Sequence, residues 1–442
     1  MKKIMYKTIV SIICLGVFPC VFSRSEITPA AWKKGKGTSE KPYLIESAEH
    51  LYYLSKQVQN GESYENVYFL LTNTMDLQGN ENNQWIPIGS NSSPFKGHFD
   101  GNQFEITNLY IENPSSDCIG LFGYIHLGSV QRVGISAQNH VSGKDNVGGI
   151  VGYQMGGTIF ECYNKSAIKG KENVGGIVGY QYGTTIHSCY NTGQIEGHRH
   201  IGGIVGMGYG KTSISNCYNM GAIVAANHKG GIAGKTDGYN TKALLKNCYQ
   251  ESVFDKTGIL GVGVATESTN CYYAFAPGMR NCPFGTALPH AQMQSDSFAL
   301  ALDKGQRVWK QDVFPFVNSR YPVLSSVKYE GLFTNEATEI TTKTAVLNAA
   351  FISKNAVIKS KGFEYKINDS DEYIRLVVED ELFSAELKNL PSATYYTFRA
   401  FVTTDKGTLF GREIEFRTQL EACGSNCGHH HHDSNCNHGK DD

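Results

Sequence analysis

Charge is scarce in this chain. Only 18% of its 442 residues are charged, below the usual quarter of a globular protein. Forty basic residues against 41 acidic ones leave a formal net charge of -1. So balanced a chain has no field to attract a polyanion, and nucleic acid is not an expected partner. Long apolar runs are scarcer still. Residues 8–22 run without a charge, too short a stretch for a membrane span. No second such run follows, so no transmembrane segment is expected beyond it. Two common catalytic signatures are also missing, His-Glu-x-x-His and Gly-x-Ser-x-Gly. No nucleophile–base pair or carboxylate pair with a supporting partner can be named. The sequence therefore assigns no catalytic residue, no cofactor and no metal ligand.

What is present begins at the N-terminus. Lys2, Lys3 and Lys7 precede the apolar run, and Val21-Phe22-Ser23 ends it. That order of basic start, apolar core and small residue reads as a signal peptide over residues 1–23. It implies export to the cell surface or the extracellular space. Cys20 opens a lipoprotein alternative, although Pro19 stands where a small residue is wanted.

Glycine is abundant, at 48 residues, and tyrosine numbers 25. Much of the glycine belongs to a repeat. Val-Gly-Gly-Ile-Val-Gly-Tyr occurs at Val147–Tyr153 and again at Val174–Tyr180, with weaker copies at 201–207 and 229–235. Gly149, Gly176, Gly203 and Gly231 mark equivalent places, 27, 27 and 28 residues apart. Cys-Tyr-Asn recurs at Cys162, Cys189 and Cys217, and Cys248-Tyr249 and Cys271-Tyr272 extend it. Each unit holds short β-branched runs separated by turn residues, and none holds a helical stretch. Such a unit cannot bury an apolar face alone but can when stacked on its neighbour. The expectation is all-β: a β-solenoid, parallel β-helix-like, of ~27-residue coils about 4.8 Å apart. A sandwich of hairpins is the alternative.

The recurring residues then acquire physical roles. The Gly-Gly pairs allow positive φ or close approach of coils. Ile159, Ile186 and Ile214 stack as an inner aliphatic row. Asn164, Asn191 and Asn219 form an amide ladder up the side. Tyr163, Tyr190 and Tyr218 form a column whose direction periodicity leaves open, because a bend falls between Ile and Tyr. Cys162, Cys189 and Cys217 have parallel Cβ vectors about 4.8 Å apart, too far for a disulfide, and read as buried thiols. Cys118 and Cys282, outside that row, are freer to pair.

These units resemble the GLUG-motif repeats of exported bacterial proteins, over roughly residues 118–273. The resemblance extends to a lead-in at 37–45, an opening coil at 85–89 and 94–102, and a closing strand at 320–324. It implies kinship with adhesins, surface proteins and non-catalytic regions of some secreted peptidases. Capping helices are expected at both ends, since open strand edges template aggregation. The first starts at Ser47, carries Leu51, Leu54 and Val58, and stops near Gly61. The second starts at Ser295 or Ser297, carries Phe298, Ala301 and Leu302, and ends at Gly305.

Beyond Leu324 glycine thins and strands alternate. Tyr396, Phe398, Ala400 and Val402 make a buried face, and Thr397, Arg399, Phe401 and Thr403 a wetter one. Ala345–Asn348 and Gly362–Tyr365 read as earlier strands, Asp405-Lys406-Gly407 as a turn, and 413–417 as the return strand. Leu390, Pro391, Thr394 and Tyr396 resemble the signature of fibronectin type III domains, which implies that Tyr396 is the corner tyrosine of a β-sandwich. The expected divisions are signal peptide 1–23, N-terminal cap and first coils 24–115, repeat solenoid 116–285, C-terminal cap 286–328, sandwich 329–419 and a His/Cys-rich disordered tail 420–442. That tail carries Cys423, Cys427, Cys436, His429 to His432 and His438, a composition that could bind metal.

Other chemistry-bearing residues have plain readings. Asp100-Gly101-Asn102 could help hold calcium, but it, Asp76 and Asp145 read as turn formers. His187, His198 and His200 read as surface histidines. Gly206, Gly208 and Gly210 read as a turn. Three functions fit: a non-catalytic adhesion or extracellular binding protein contacting a protein or glycan surface, a glycan-binding module using an outward tyrosine ladder, and a glycan-cleaving enzyme on a β-helix.

Overall fold

The computed structural model describes residues 27–251, 258–275, 282–312, 318–327, 331–352, 357–368, 370–379, 383–404 and 407–421. The expected signal segment with Cys20, the turn residues Asp405 and Lys406, and the tail from Cys423 to His438 lie outside them. The chain forms two compact units, residues 1–287 and 288–442.

The first unit is a parallel β-solenoid of about eight turns. One coil shows the plan. Strands Asp145–Gly148, Val151–Met155, Thr158–Phe160, Tyr163–Asn164 and Ile168–Lys169 follow one another around it. Each pairs in parallel with its copy in the next coil: Val151 with Val178, Ile159 with Ile186, Tyr163 with Tyr190, and Ile168 with Ile195. The described strands fall into three long parallel sheets, one of them six-stranded. The bend expected between Ile and Tyr exists. It is a column of left-handed residues: Glu161, Ser188, Asn216, Asn247 and Asn270, with φ of 50°, 56°, 52°, 52° and 56°. Asn favours this conformation because its short side chain bonds locally. Here Asn247 Nδ2 donates to Asn216 Oδ1 at 3.0 Å, and Asn270 Nδ2 to Asn247 Oδ1 at 2.8 Å.

The core is the set of inward columns. Ile159, Ile186 and Ile214 are fully buried, as expected. The amide ladder also forms, but inside the coil rather than along its side. Asn164 Nδ2 donates to Asn191 Oδ1, and Asn191 Nδ2 to Asn219 Oδ1, both at 2.8 Å. The second N–H of each amide reaches the carbonyl two residues on, at Ser166, Gly193 and Gly221. With both N–H groups paired, Asn164 and Asn191 can sit at zero exposure. The repeated glycine makes room for them. A Cβ on Gly176 would lie 2.2 Å from Gly203 O and 2.5 Å from Asn191 Cγ. Of the two roles considered for this glycine, close approach is the one it fills.

The cysteine column, Cys162, Cys189, Cys217, Cys248 and Cys271, is buried and unbridged. Each thiol donates to the carbonyl two residues before it, at 3.1–3.4 Å. Burial pushes the Cys189 and Cys248 thiols well up, so they stay protonated. Cys118 and Cys282 form no disulfide among the described residues either.

Ahead of the coils, helix Ala48–Gln59 buries Leu51, Leu54 and Val58. Ser47 holds the N-cap position, but its side chain makes no capping bond; its hydroxyl lies near the Glu49 carboxyl and lowers that group's pKa. Trp85, buried, donates Nε1 to Leu121 O at 3.0 Å. Ile88 and Phe95 bridge in parallel to Phe122 and Ile125, but the segment 85–102 does not open the stack: Tyr43–Ile45 already pairs in parallel with Tyr68–Leu71, and that strand with His98–Asp100.

The second unit starts with helices His290–Met293 and Asp296–Asp303. Phe298 and Leu302 are buried as expected, whereas Ala301 is exposed and Ala299 takes the inner place. The helix stops at left-handed Lys304 (φ 46°) before Gly305 (φ 79°). Val323–Leu324 is a strand, but it pairs antiparallel with Trp309–Lys310 and adds no coil. Next come two antiparallel sheets. Strands 331–338, 345–352 and 384–387 make one; 358–367, 374–377, 395–404, 407–410 and 414–417 make the other. Their facing sides bury Leu347, Phe363, Phe398, Ala400 and Phe416. The alternation over 396–403 breaks at Phe401, which is 1% exposed. The Arg375 guanidinium covers its ring at 4.0 Å, so a cation roofs a position expected to be wet. Tyr396 is buried and stacks on Phe416 at 5.1 Å. Among the described residues its hydroxyl finds no hydrogen-bond partner, so the bond of a tyrosine corner is not formed.

Candidate binding surface

The sequence singled out one tyrosine column, and the structure has two. In the first, Tyr163, Tyr190, Tyr218 and Tyr249 stack at 4.9, 4.9 and 5.2 Å with nearly parallel rings. Their neighbours in sequence, Asn164, Asn191, Asn219 and Gln250, are fully buried. Alternation along a strand therefore turns the tyrosines away from the core. They are nonetheless covered. Tyr163 and Tyr190 are half-buried, and Tyr218 and Tyr249 buried. Tyr163 donates its hydroxyl to Glu105 at 2.8 Å, under the Lys165 ammonium. Burial raises the Tyr190 hydroxyl far above the ordinary tyrosine value. This column is an outer pillar of the coil and presents no open row.

The second column lies on the six-stranded sheet. Tyr124, Tyr153 and Tyr180 stack at 4.7 Å per step, with rings within 9° of parallel. Two residues further along lies a looser row of Met155, Tyr182 and Tyr209, with Leu127 and Tyr239 just past the ends of the flanking strands at His126 and Asp237. Tyr182 meets Tyr209 at 5.7 Å, and Tyr209 meets Tyr239 at 5.7 Å, tilted by about 30°. Met155 pairs with Tyr182 in register, and Leu127 N–H donates to Met155 O. Most of this row is exposed, Leu127 at 66%, Met155 37%, Tyr182 42% and Tyr239 67%, with Tyr209 half-buried. It is an apolar strip along one corner of the solenoid. The signal was in the sequence, since Tyr182 and Tyr209 stand 27 residues apart like the glycines. They lie just outside the repeated Val-Gly-Gly-Ile-Val-Gly-Tyr string, so that string alone does not mark them.

Beside Tyr124 and Tyr153 opens a cleft of about 530 Å³. Its apolar wall includes Pro87 and Ile119. Its polar wall includes Asn91, Asn113, Ser116, Asp117 and Asn146. No lysine, arginine or histidine is among the described residues that line it. Cys118 also lines it, with a thiol pushed up to about 11 by burial, so it offers no thiolate nucleophile at neutral pH.

Cys118 belongs to another column. Cys118, Asn146, Asn173, His200 and His228 hold equivalent places in successive coils, all left-handed, with φ of 60°, 57°, 55°, 57° and 50°. Hydrogen bonds run down it. His200 Nδ1 meets Asn173 Oδ1 at 2.9 Å, and Asn173 Nδ2 donates to Asn146 Oδ1 at 2.9 Å. Asn146 Nδ2 then faces only Cys118 Sγ, at 4.0 Å, a weak acceptor.

The remaining residues with expected chemistry do not converge. His187 stacks on Phe160 at 4.3 Å, whereas His200, buried rather than superficial, stacks on His228 at 5.1 Å. His198 is exposed. Asp100 is ion-paired with Arg132 and also accepts from Gln131 and the Asn102 N–H, which occupies the oxygens calcium would need. Asp76 accepts from the Gln78 N–H and Asn108, as a turn former does. Gly206 and Gly208 lie in strand Val205–Tyr209, and Gly210 (φ 71°) makes the turn. Among the described residues no group of three His, Cys, Asp or Glu could hold a metal ion, and no helix is long and apolar enough to cross a membrane.

Residues 170–196 match the GLUG motif. The chain is 34% identical over 129 residues to a putative Gly-rich membrane protein of Evansella cellulosilytica, which covers 28% of this chain and 15% of that protein. It is 30% identical over 132 residues to halomucin of Haloquadratum walsbyi, 28% of this chain and 1% of that one. The chain thus spans a small part of the length of these relatives. Among solved structures, a fibronectin type-III domain of a human protein is 20% identical, covering 24% of this chain and 99% of that domain, with a TM-score of 0.19.

Proposed function

We propose that this is an exported, non-catalytic surface or secreted protein that binds an extracellular partner through the corner of its solenoid. The observation that carries the reading is the strip of Leu127, Met155, Tyr182, Tyr209 and Tyr239. A folded protein in water rarely leaves a contiguous apolar row open unless something covers it in use. Tyrosine suits such a contact, since its rigid ring buries area at low entropic cost while the hydroxyl stays solvated. Similarity to a Gly-rich membrane protein and to halomucin supports a place at or outside the cell envelope. The covered Tyr163 column supports no second reading as a ligand ladder.

The test uses the chain from residue 24 onward on surfaces coated with extracellular glycoproteins such as mucin and fibronectin. The double substitution Tyr182→Ser and Tyr239→Ser is expected to lower retention at least fivefold without shifting Tm. Equal retention of both proteins would rule the strip out. Cleavage of a polysaccharide or peptide, abolished by one Asp, Glu or His substitution, would overturn the non-catalytic assignment.

A further inference from the structure

We infer that the cleft beside Tyr124 and Tyr153 is a binding site for a neutral saccharide. Its volume, about 530 Å³, falls inside the range of small-molecule pockets, roughly 300–1,000 Å³. The chemistry of its lining narrows the ligand. With no cationic side chain among the described lining residues, a phosphate, sulfate or carboxylate would enter without a counter-charge. The one carboxylate, Asp117, accepts from the Asp145 N–H at 3.3 Å through Oδ1 and from Lys144 at 3.5 Å. Its second oxygen is turned to neither and can accept a hydroxyl.

The amide of Asn146 supplies the complementary donor. It is the last rung of the Asn146–Asn173–His200 ladder, in which each rung hands an N–H to the coil before it. Asn173 and His200 each find an oxygen, whereas His228, one coil further and away from the cleft, has a buried Nδ1 without one among the described residues. At the top, the equivalent position is Cys118, and the Asn146 N–H is left with sulfur at 4.0 Å. A donor released from its ladder at the wall of a polar cleft is suited to a ligand oxygen. Ring stacking points the same way. Tyr153 lies between Tyr124 and Tyr180, so both of its faces are used, whereas Tyr124 has one ring partner. Tyr124 is the end of that column, and the end ring of a stack is the one that can present a face to a sugar ring. A polyhydroxylated neutral ring matches all three features: hydroxyl donors for Asp117, an acceptor for Asn146 and a C–H face for Tyr124.

The inference deepens the binding role proposed above but stands on different residues from the strip. The full exported chain is titrated calorimetrically with neutral oligomers of glucose, galactose and N-acetylglucosamine, and with heparin fragments as an anionic comparison. Binding of at least one neutral oligomer is expected. Asn146→Asp keeps a residue that tolerates the left-handed backbone but removes the donor, and Asp117→Asn changes the facing carboxylate at the surface; each is expected to weaken that binding tenfold or more. Tyr182→Ser, in the strip, is expected to leave it within twofold. No heat with any neutral oligomer, binding of heparin alone, or equal affinities for the parent and both cleft variants would each overturn the assignment. Loss of glycoprotein retention in the Tyr182→Ser and Tyr239→Ser protein with saccharide binding intact separates failure of one site from failure of the other.

Discussion

The inward amide column and the outward tyrosine strip repeat with the same period and have opposite meanings. Asn164, Asn191 and Asn219 are sealed from water; the first two use both side-chain N–H groups inside the coil, and Asn219 gives one to Gly221 O. Tyr182, Tyr209 and Tyr239 touch one another loosely; Tyr182 and Tyr239 are exposed, and Tyr209 between them is half-buried. A repeat by itself says only that stacked coils place like on like. Burial tells which columns hold the coils together and which are free to meet a partner. The same contrast separates the two stacked tyrosine rows, one covered and bonded to Glu105, the other ending at an open cleft.

The contrast breaks hardest at the shared glycine. Gly176→Val puts a side chain where Gly203 O and the Asn191 amide already stand, so it is expected to cost about 3 kcal/mol or more through overpacking. Lys171→Ala, at an exposed turn, should stay within about 0.5 kcal/mol. Equal thermal midpoints for the two variants would remove the close-packed coil. Next comes Asn191→Ala, which takes from one Asn164 N–H its acceptor and leaves Asn219 Oδ1 with only the Gly221 N–H. A loss of about 2 kcal/mol is expected, the cost of buried polar groups left unpaired. Tyr182→Ser should change the denaturation midpoint far less than either while acting on glycoprotein retention. A destabilisation by Tyr182→Ser as large as that of Asn191→Ala would erase the distinction between inner and outer columns.

Much of the solenoid was legible because its spacing repeats. In-register stacking follows once Gly149, Gly176 and Gly203 share a period, and inner Ile, buried Cys and linked Asn follow from stacking. Direction was not legible where the backbone turns. Left-handed Glu161 and Ser188 break the two-residue parity between Ile and Tyr, so alternation could not be carried across. The cleft was invisible for another reason: Gln59, Pro87, Asn113, Ser116 and Asn146 come from four separate stretches of chain and meet only through folding. In the sandwich, alternation found the buried face over 396–402 and failed at Phe401. That ring is covered by Arg375, which reaches over strand 358–367 from the strand beyond it, a partner that no local pattern encodes.

The smallest expected effect probes where an inner column carries charge chemistry instead of amides. His200 and His228 replace asparagine in the left-handed column and stack at 5.1 Å. Burial, with Arg199, His228 and Lys235 nearby, holds the His200 imidazole down at about 4, against an ordinary 6.5. The folded state therefore refuses a proton that the unfolded chain takes up. Stability from this group is complete above about pH 6.5, declines as pH falls from there toward 4, and levels off below. Burial lowers His98 and His187 in the same direction, so the parent profile alone is not diagnostic. His200→Asn isolates the effect, because asparagine already serves at positions 146 and 173 with the same backbone and can keep the bond to Asn173. Urea midpoints measured from pH 7.5 to pH 4.5 should fall less steeply for His200→Asn than for the parent. Parallel profiles would mean that the imidazole takes up its proton in the folded coil as readily as in the unfolded chain.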